Sequence, residues 1–161
     1  MAFVVTQLEK YLIENQARFY RLAYSYLQNR EEALDAVQTA VCRALEGRGG
    51  LRSAEMMRSW FNRILINICL DMLRQKKRVV TVAPEDLTVG SYEDPLPADE
   101  TLINRINALS LEEQTIIKLR FFEDLSLKEI SEITNVNLNT VKTRLYGALK
   151  KLRISMEGEI I

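Results

Sequence analysis

The sequence predicts an all-α fold in which two small helical domains are joined by a flexible acidic linker. The prolines Pro84, Pro95 and Pro97 lie in one stretch, and three of the six glycines lie between Gly47 and Gly50. Elsewhere, long segments run without these helix breakers, and their apolar residues recur at helical spacing. No segment has the pattern of a convincing strand.

Charge divides the chain at the same places, although 22 Lys and Arg balance 22 Asp and Glu. Residues 1–80 carry 13 basic and 8 acidic side chains, residues 81–100 carry none and six, and residues 101–161 carry nine and eight. An acidic, proline-containing segment with weak periodicity is typical of a linker. The expected parts are a first domain over 1–78, a linker over 79–98 and a second domain over 99–161.

Helix signals appear in order along the chain. Asn29 and Glu32 have the spacing of a capping box, which recurs in the pairs Ser110–Glu113 and Ser126–Glu129. An apolar stripe marks the inward face of the third helix: Met57, Phe61, Ile64, Leu65, Ile68 and Met72. The expected helices lie near 6–28, 31–46, 54–77, 100–108, 111–122, 126–133 and 138–155.

The last third of the chain predicts a helix-turn-helix, with a short helix over 126–134, a turn over 135–137 and a longer helix from Leu138 to Arg153. Ser131 supplies the small side chain that closely crossing helices need. Asn135 tolerates the left-handed backbone that the turn needs. The side chains expected inside are Leu127, Ile130, Ile133, Val141, Leu145, Leu149 and Leu152.

The longer helix concentrates basic charge. Residues 136–156 contain five basic side chains and no acid, whereas residues 109–135 contain three and six. A helix that enters the major groove by its N-terminal end needs such charge for phosphate contacts. The alternative is the solvated face of an ordinary helical hairpin. The candidate contacts are Asn139, Thr140, Lys142, Thr143, Arg144, Lys150, Lys151 and Arg153.

A polar face opposes the apolar stripe of the third helix. Asn67 lies four residues from both Arg63 and Asp71, so the three share a face, and an amide can read a base edge. Trp60 is either a ring that stacks on an unpaired base or a core residue. The basic end, Gln75-Lys76-Lys77-Arg78, either contacts DNA or only favours the helix C-terminus. The other polar-face positions are Arg58, Asn62 and Arg74.

Composition argues against an enzyme. The chain has no His, no phosphate-binding glycine loop and no metal-spaced cysteines, and Cys42 and Cys69 are expected to be small core residues. The longest apolar run, residues 64–70, is too short to span a bilayer, and residues 1–5 do not resemble a signal peptide. We expect a cytoplasmic protein without cofactor or metal.

Taken together, these segments resemble bacterial sigma factors of the extracytoplasmic-function type in the sigma-70 family, which consist of sigma regions 2 and 4. The resemblance extends from Phe19 to Arg153 and rests on three stretches in this order: FYRLAYSYLQNREEALDAVQ, SWFNRILINICLDMLRQKKR and LSLEEQTIIKLRFFEDLSLKEISEITNVNLNTVKTRLYGALKKLR. The runs FFEDL and NTVKTRLY look most like the sigma-V-like subgroup, which responds to cell-envelope stress.

The resemblance implies roles by position. Asp35 and Gln38, here called the docking pair, match the surface that binds the clamp helices of the RNA polymerase β′ subunit. The resemblance also implies two groups of DNA-contacting residues. The −10 set, which would read and melt the −10 promoter element, comprises Trp60, Arg63, Asn67, Asp71, Arg74, Lys76, Lys77 and Arg78. The −35 set, which would read the −35 element, comprises Asn139, Thr140, Lys142, Thr143, Arg144 and Lys150.

The implied partners are core RNA polymerase, through its β′ and β subunits, promoter DNA, and a membrane-anchored anti-sigma factor that would hold the chain at the inner face of the membrane. No small-molecule substrate is implied. Zero net charge suits a subunit that polymerase holds on DNA, and the acidic linker matches the segment that threads through polymerase near the RNA path.

Four departures from the family pattern stand out. Thr39 occupies a position that is commonly acidic, Asn139 one that is commonly Gly, and Gly147 one that is commonly basic. Residues 46–57 are also atypical. We expect weaker or altered −35 binding from Gly147.

Two other classes remain open at this point. A stand-alone helix-turn-helix regulator would bind duplex DNA without polymerase, usually as a symmetric dimer. An all-helical interaction protein would have lost DNA binding. A gel shift with and without core enzyme distinguishes the regulator, and titration against core polymerase and promoter distinguishes the interaction protein.

Overall fold

The computed structural model describes the backbone of residues 2–80 and 100–160, with most of their side chains. Every regular element in these ranges is helical, which confirms the predicted all-α class. The chain divides into two compact units, Met1–Pro95 and Leu96–Ile161. Residues 81–98 of the predicted linker lie outside the described residues.

The first unit contains four helices among its described residues. They are α1 (Ala2–Glu14), α2 (Gln16–Leu27), α3 (Arg30–Glu46) and α4 (Met57–Val80). Two 3₁₀ turns, Arg48–Gly50 and Ala54–Met56, connect α3 to α4.

Alanines on α3 allow α2, α3 and α4 to pack closely on one another. Four of them are fully buried at helical spacing: Ala33, Ala36, Ala40 and Ala44. Small side chains at a helix crossing shorten the distance between the helix axes. Aromatic rings complete this core, with the centroids of Phe19 and Phe61 4.3 Å apart and Tyr11 at 5.5 Å from Phe19.

The single helix predicted over 6–28 is wrong, because the chain forms two helices that meet at Asn15. Asn15 has φ −113° and ψ 17°. Its side-chain amide donates to the carbonyl oxygen of Tyr11 at 2.9 Å. Such a local side-chain bond competes with regular helix geometry, which accounts for the break.

The two cysteines lie in different environments. Cys69 is fully buried on α4, as expected. Cys42 is exposed, so its prediction as a core residue is wrong. The alanine stripe takes the inward face of α3, and Cys42 is directed away from it.

The second unit contains four helices and one π-helical turn among its described residues. They are α5 (Glu100–Asn107), α6 (Leu111–Ile117), the π turn (Lys118–Phe122), α7 (Leu127–Thr134) and α8 (Leu138–Ile160). The predicted helix over 111–122 is therefore α6 followed by the π turn.

Capping explains where several helices begin. Both reciprocal bonds of the capping box are present for Ser110 with Glu113 and for Ser126 with Glu129, which confirms those two predictions. Asn29 caps α3 by accepting from the backbone N–H of Glu32 at 2.9 Å. The carboxylate of Glu32 does not return a bond to Asn29, because it pairs with Lys76 on α4.

The core of the second unit lies between α8 and the helices before it. The inward face of α8 carries Val141, Leu145, Ala148 and Leu152, all buried. The prediction that Leu149 lies inside is wrong, since Leu149 is 36% exposed while Ala148 is fully buried. Steps of four, three and four residues keep the buried positions on one face of the helix.

Candidate nucleic-acid interface

The turn between α7 and α8 has the backbone that the sequence predicts. Asn135 is left-handed, with φ 56° and ψ 41°. The backbone N–H of Val136 donates to the carbonyl oxygen of Ser131 at 3.2 Å, and the Ser131 hydroxyl donates back to the Val136 carbonyl oxygen. Ser131 thus hydrogen-bonds the turn as well as being small.

Asn137 caps α8. Its side-chain oxygen accepts from the backbone N–H of Asn139 at 2.8 Å. One orphan N–H at the helix start is satisfied in this way. The side chains of the first turn are thereby presented from a fixed helix end.

The −35 set lies on the outward face of α8. Asn139, Lys142, Thr143 and Lys150 are exposed, and Thr140 and Arg144 are partly buried. The Thr143 hydroxyl donates to the carbonyl oxygen of Asn139 at 3.0 Å, which leaves its methyl group and lone pairs for an outside partner. Lys142, Arg144 and Lys150 form no ion pair with other described residues, so their charges are available to phosphates.

Lys151 forms an ion pair within the second unit. Its ammonium donates to the Glu113 carboxylate at 2.8 Å. This hydrogen bond, assisted by those from Ser110, holds the pKa of Glu113 below its ordinary value even though partial burial acts in the opposite direction.

A second connection joins α5 to the far part of α8, where the Arg105 guanidinium donates to the Ser155 carbonyl oxygen at 2.7 Å and to the Ser155 hydroxyl. Both contacts support the helix that carries the −35 set.

Sequence reasoning missed the buried polar cluster beneath the π turn. Lys118 is fully buried, and its ammonium donates to the side-chain oxygens of Asn107 at 2.9 Å and Gln114 at 3.2 Å. Glu123 is buried as well. The available signal was a lysine inside the apolar run Ile116 to Leu119, where a charge has to find partners.

The π turn also exposes an aromatic ring. Phe121 is 56% exposed, and the Arg120 guanidinium carbon lies 5.9 Å from the centre of its ring. Asp124 follows with a left-handed φ of 54°. π-helical turns are rare, and they are frequent at functional sites.

In the first unit, α4 presents one continuous polar face. Arg63, Asn67, Asp71 and Arg74 are all exposed at spacings of four, four and three residues. Arg74 donates to the Asp71 carboxylate at 3.2 Å, while Arg63 and Asn67 make no hydrogen bond with described side chains. The structure therefore brings these four members of the −10 set together.

Asn62 and Trp60 on α4 are more buried than the side chains of its polar face. Asn62 was expected on the polar face, but it is fully buried and its amide donates to the Arg58 carbonyl oxygen at 3.0 Å. Asn62 lies one residue after Phe61, within the arc of α4 that faces the core. Trp60 is half-buried, between its two predicted environments.

The basic end of α4 is only partly described. Lys76 donates to the Glu32 carboxylate at 3.2 Å, so this member of the −10 set also joins α4 to α3. The side chains of Lys77 and Arg78 lie outside the described part of the chain.

The docking pair lies on an open surface of α3. Asp35 and Gln38 are both exposed, and Leu34 beside them is 50% exposed. Carboxylate, amide and leucine together form a mixed polar and apolar surface, the composition of a protein contact.

The described residues contain neither a membrane-spanning helix nor a metal-binding group. None of these helices combines the length and the apolar composition that a bilayer crossing requires. No three His, Cys, Asp or Glu side chains within this part of the chain are grouped so as to hold a metal ion.

Comparison with known proteins identifies the class. Residues 12–79 match the family model of sigma-70 region 2, and residues 99–152 match that of sigma-70 region 4. The chain therefore belongs to the sigma-70 family of RNA polymerase sigma factors, and the resemblance drawn from its motifs is confirmed. It acts as an alternative sigma factor, which binds core RNA polymerase and directs promoter-specific transcription initiation.

Relatives place the chain among the ECF sigma factors. It is 41% identical to the RNA polymerase sigma factor SigV of Bacillus subtilis, over 92% of this chain and 90% of the relative. It is 32% identical to the ECF sigma factor SigW of the same organism, over 84% and 81%.

Solved structures confirm the fold. The sigma factor RpoE from Bartonella quintana, solved with the anti-sigma factor NepR, superposes with a TM-score of 0.79 at 18% identity, over 94% of this chain and 97% of that one. CnrH, solved with the cytosolic domain of CnrY, gives 0.74 at 14% identity, over 97% and 96%.

Proposed function

We propose that this sigma factor reads the −35 element with α8 and the −10 element with α4, as the domains 1–78 and 99–161 on either side of a linker over 79–98. The observation that carries the proposal is the outward face of α8. Its N-terminal end is capped and exposed, and three of its cations have no ion-pair partner among the described residues. Groove-reading helices contact base edges with such N-terminal residues and phosphates with such cations.

The α4 face supports the −10 role. Asn67 is an exposed amide between a cation and a carboxylate, with both its donor and its acceptor unused in the described structure. Unstacking a base costs a few kcal/mol, and hydrogen bonds to its exposed edge offset that cost. Asn67 is the group on this face best suited to form them, while Arg63 and Arg74 attract the strand backbone.

The docking pair supports polymerase binding through α3. Asp35, Gln38 and the half-exposed Leu34 offer the clamp helices a contact that is separate from the α4 face in sequence. Substitutions on α3 should therefore weaken polymerase binding alone, and substitutions on α4 should weaken promoter reading alone.

The relatives support a proposal for regulation and location. The similarity to SigV favours a role in an envelope-stress response. One superposed structure holds the anti-sigma factor NepR and the other holds the cytosolic domain of CnrY. These complexes favour an anti-sigma factor as the inhibitor here too, membrane-anchored, with the sigma factor in the cytoplasm. The chain would act through polymerase, with no reaction and no cofactor of its own.

Reconstitution with core RNA polymerase tests the proposal. We expect the chain to co-elute with core enzyme and to direct transcripts from a distinct set of start points. A gel shift with the free chain distinguishes the alternative, since tight polymerase-free binding to a palindromic site would indicate a stand-alone regulator.

Asn67→Ala tests the −10 role within that assay. The loss of the amide should lower run-off transcription about tenfold, the scale of one lost base contact, while core binding stays unchanged. Gln16→Ala is the matched control, because it removes an exposed amide at the start of α2. Undiminished transcription from Asn67→Ala would exclude base capture by this residue.

A further inference from the structure

Gly147 lies in the middle of α8, where glycine is a costly residue. Helix interiors favour alanine, since glycine loses more backbone entropy on folding. Such a glycine commonly has an internal reason, either a left-handed backbone or a neighbouring group that leaves no space for a Cβ.

Neither reason applies at Gly147. No described glycine has a positive φ, so the backbone here is one that any residue adopts. A Cβ built on Gly147 has no heavy atom within 4 Å, apart from its own helix backbone and chain neighbours. Within the unit, alanine would fit without strain and would stabilise the helix.

Two basic side chains lie on either side of Gly147. Arg144 lies three residues before it and Lys150 three residues after it, so the two cations flank it on the same side of α8. Neither forms an ion pair with other described residues. A backbone without a side chain between two available cations forms a shallow notch with positive sides.

We propose that a phosphate of the −35 element packs directly against the α8 backbone at Gly147, between Arg144 and Lys150. The inference rests on the proposed reading of the −35 element by α8 and adds a positioning residue to it. Glycine sets how closely the helix approaches the DNA strand, and hence the depth at which Asn139 and Thr143 meet the base edges. The missing side chain at Gly147 therefore allows the phosphate to contact the helix backbone.

Gly147→Ala in the full chain tests the proposal. The melting temperature should rise by about 4–8 °C, the shift expected when a helix-stabilising change is made in a unit of this size. Affinity of the reconstituted holoenzyme for a promoter mapped by start-site analysis should fall about tenfold. On a fragment with a replaced −35 element, the difference between variant and parent should be smaller, because the phosphate contact remains while the base contacts of the element are lost. Unchanged or tighter promoter binding, or a lower melting temperature, would overturn the proposal.

Three further variants sharpen the result. Gly147→Lys adds a cation, and it should also weaken binding if close approach matters; tighter binding would show a missing charge instead. Asn104→Ala, at an exposed position on α5 outside the −35 set, should raise stability without changing promoter affinity. The double variant Lys142→Ala with Arg144→Ala tests the −35 reading itself, so its lack of effect would reject that function independently of Gly147.

Discussion

At the scale of single residues, Lys118 is a charged side chain that is fully buried in the second unit. Its ammonium is removed from water and is compensated by the amide oxygens of Asn107 and Gln114. A buried cation is tolerated only when such partners replace its hydration. The π turn that begins at this residue is therefore connected to α5 and α6 through polar bonds as well as apolar packing.

Lys118→Ala should destabilise the second unit by about 2–4 kcal/mol, because it leaves a cavity and removes the donor from the buried Gln114 and the part-buried Asn107. Urea denaturation followed by circular dichroism measures the change. Lys128→Ala, at an exposed lysine on α7, should alter stability by no more than about 0.5 kcal/mol. Equal effects of the two substitutions would show that the Lys118 bonds contribute nothing specific.

Glu113 should make the stability of the second unit depend on pH. Its folded-state pKa is lowered, chiefly by the hydrogen bond from Lys151, so its contribution is present above the ordinary carboxyl value of 4.5 and is lost as pH falls through the lowered value. Glu113→Gln retains a capping side chain but not the charge. The melting temperature of Glu113→Gln should lie below the parent's at pH 7, and the gap should close in acid. Glu112→Gln, exposed beside it, should show no such gap; a pH-independent gap at Glu113 would contradict the argument.

At the scale of elements, the helix-turn-helix was the most predictable part of the molecule. Ser131, Asn135 and the capping residue Ser126 each combine a local rule with a position, and local rules transfer directly from sequence to structure. The break at Asn15, the burial of Asn62 and the exchange of Leu149 for Ala148 were not predictable in this way. The break follows from the amide of Asn15 bonding back to the Tyr11 carbonyl oxygen, which is one of several options for an asparagine. The other two depend on which face of a helix meets its neighbours, and one or two residues of rotation decide that.

The left-handed residue of the turn provides a test at this scale. Asn135→Ala should lower the free energy of unfolding by about 1 kcal/mol, because a Cβ without a polar group disfavours this backbone. Asn135→Gly should restore parent stability to within about 0.5 kcal/mol. Thermal melts of the three proteins decide the matter, and an alanine variant as stable as the parent would mean that the turn has changed its conformation.

At the scale of the whole molecule, the net charge is zero, but the charges are unevenly distributed along the chain. The first 80 residues and the last 61 both carry more cations than anions, and the acids of residues 81–100 cancel the excess. Non-specific DNA binding depends on summed positive charge and screens steeply with salt. The acidic segment therefore lowers the affinity of the free chain for DNA in general.

Neutralising four of these acids should expose that effect. A chain with Glu85→Gln, Asp86→Asn, Glu93→Gln and Asp94→Asn has a net charge of about +4, and its polymerase-free affinity for non-specific DNA should rise about tenfold at low salt. Fluorescence anisotropy over a salt series measures it. The matched control exchanges Asp and Glu at the same positions and keeps every charge. If the neutral variant binds no better than that control, overall charge does not govern binding.

The exposure of Cys42 gives the molecule a natural attachment point for a probe. A maleimide dye would react with this thiol on α3, one turn beyond Gln38, while Cys69 is shielded by the core. Unaltered protein could then carry a single fluorophore next to the docking pair. Its quenching on mixing with core enzyme would report the association rate directly, ahead of any transcript.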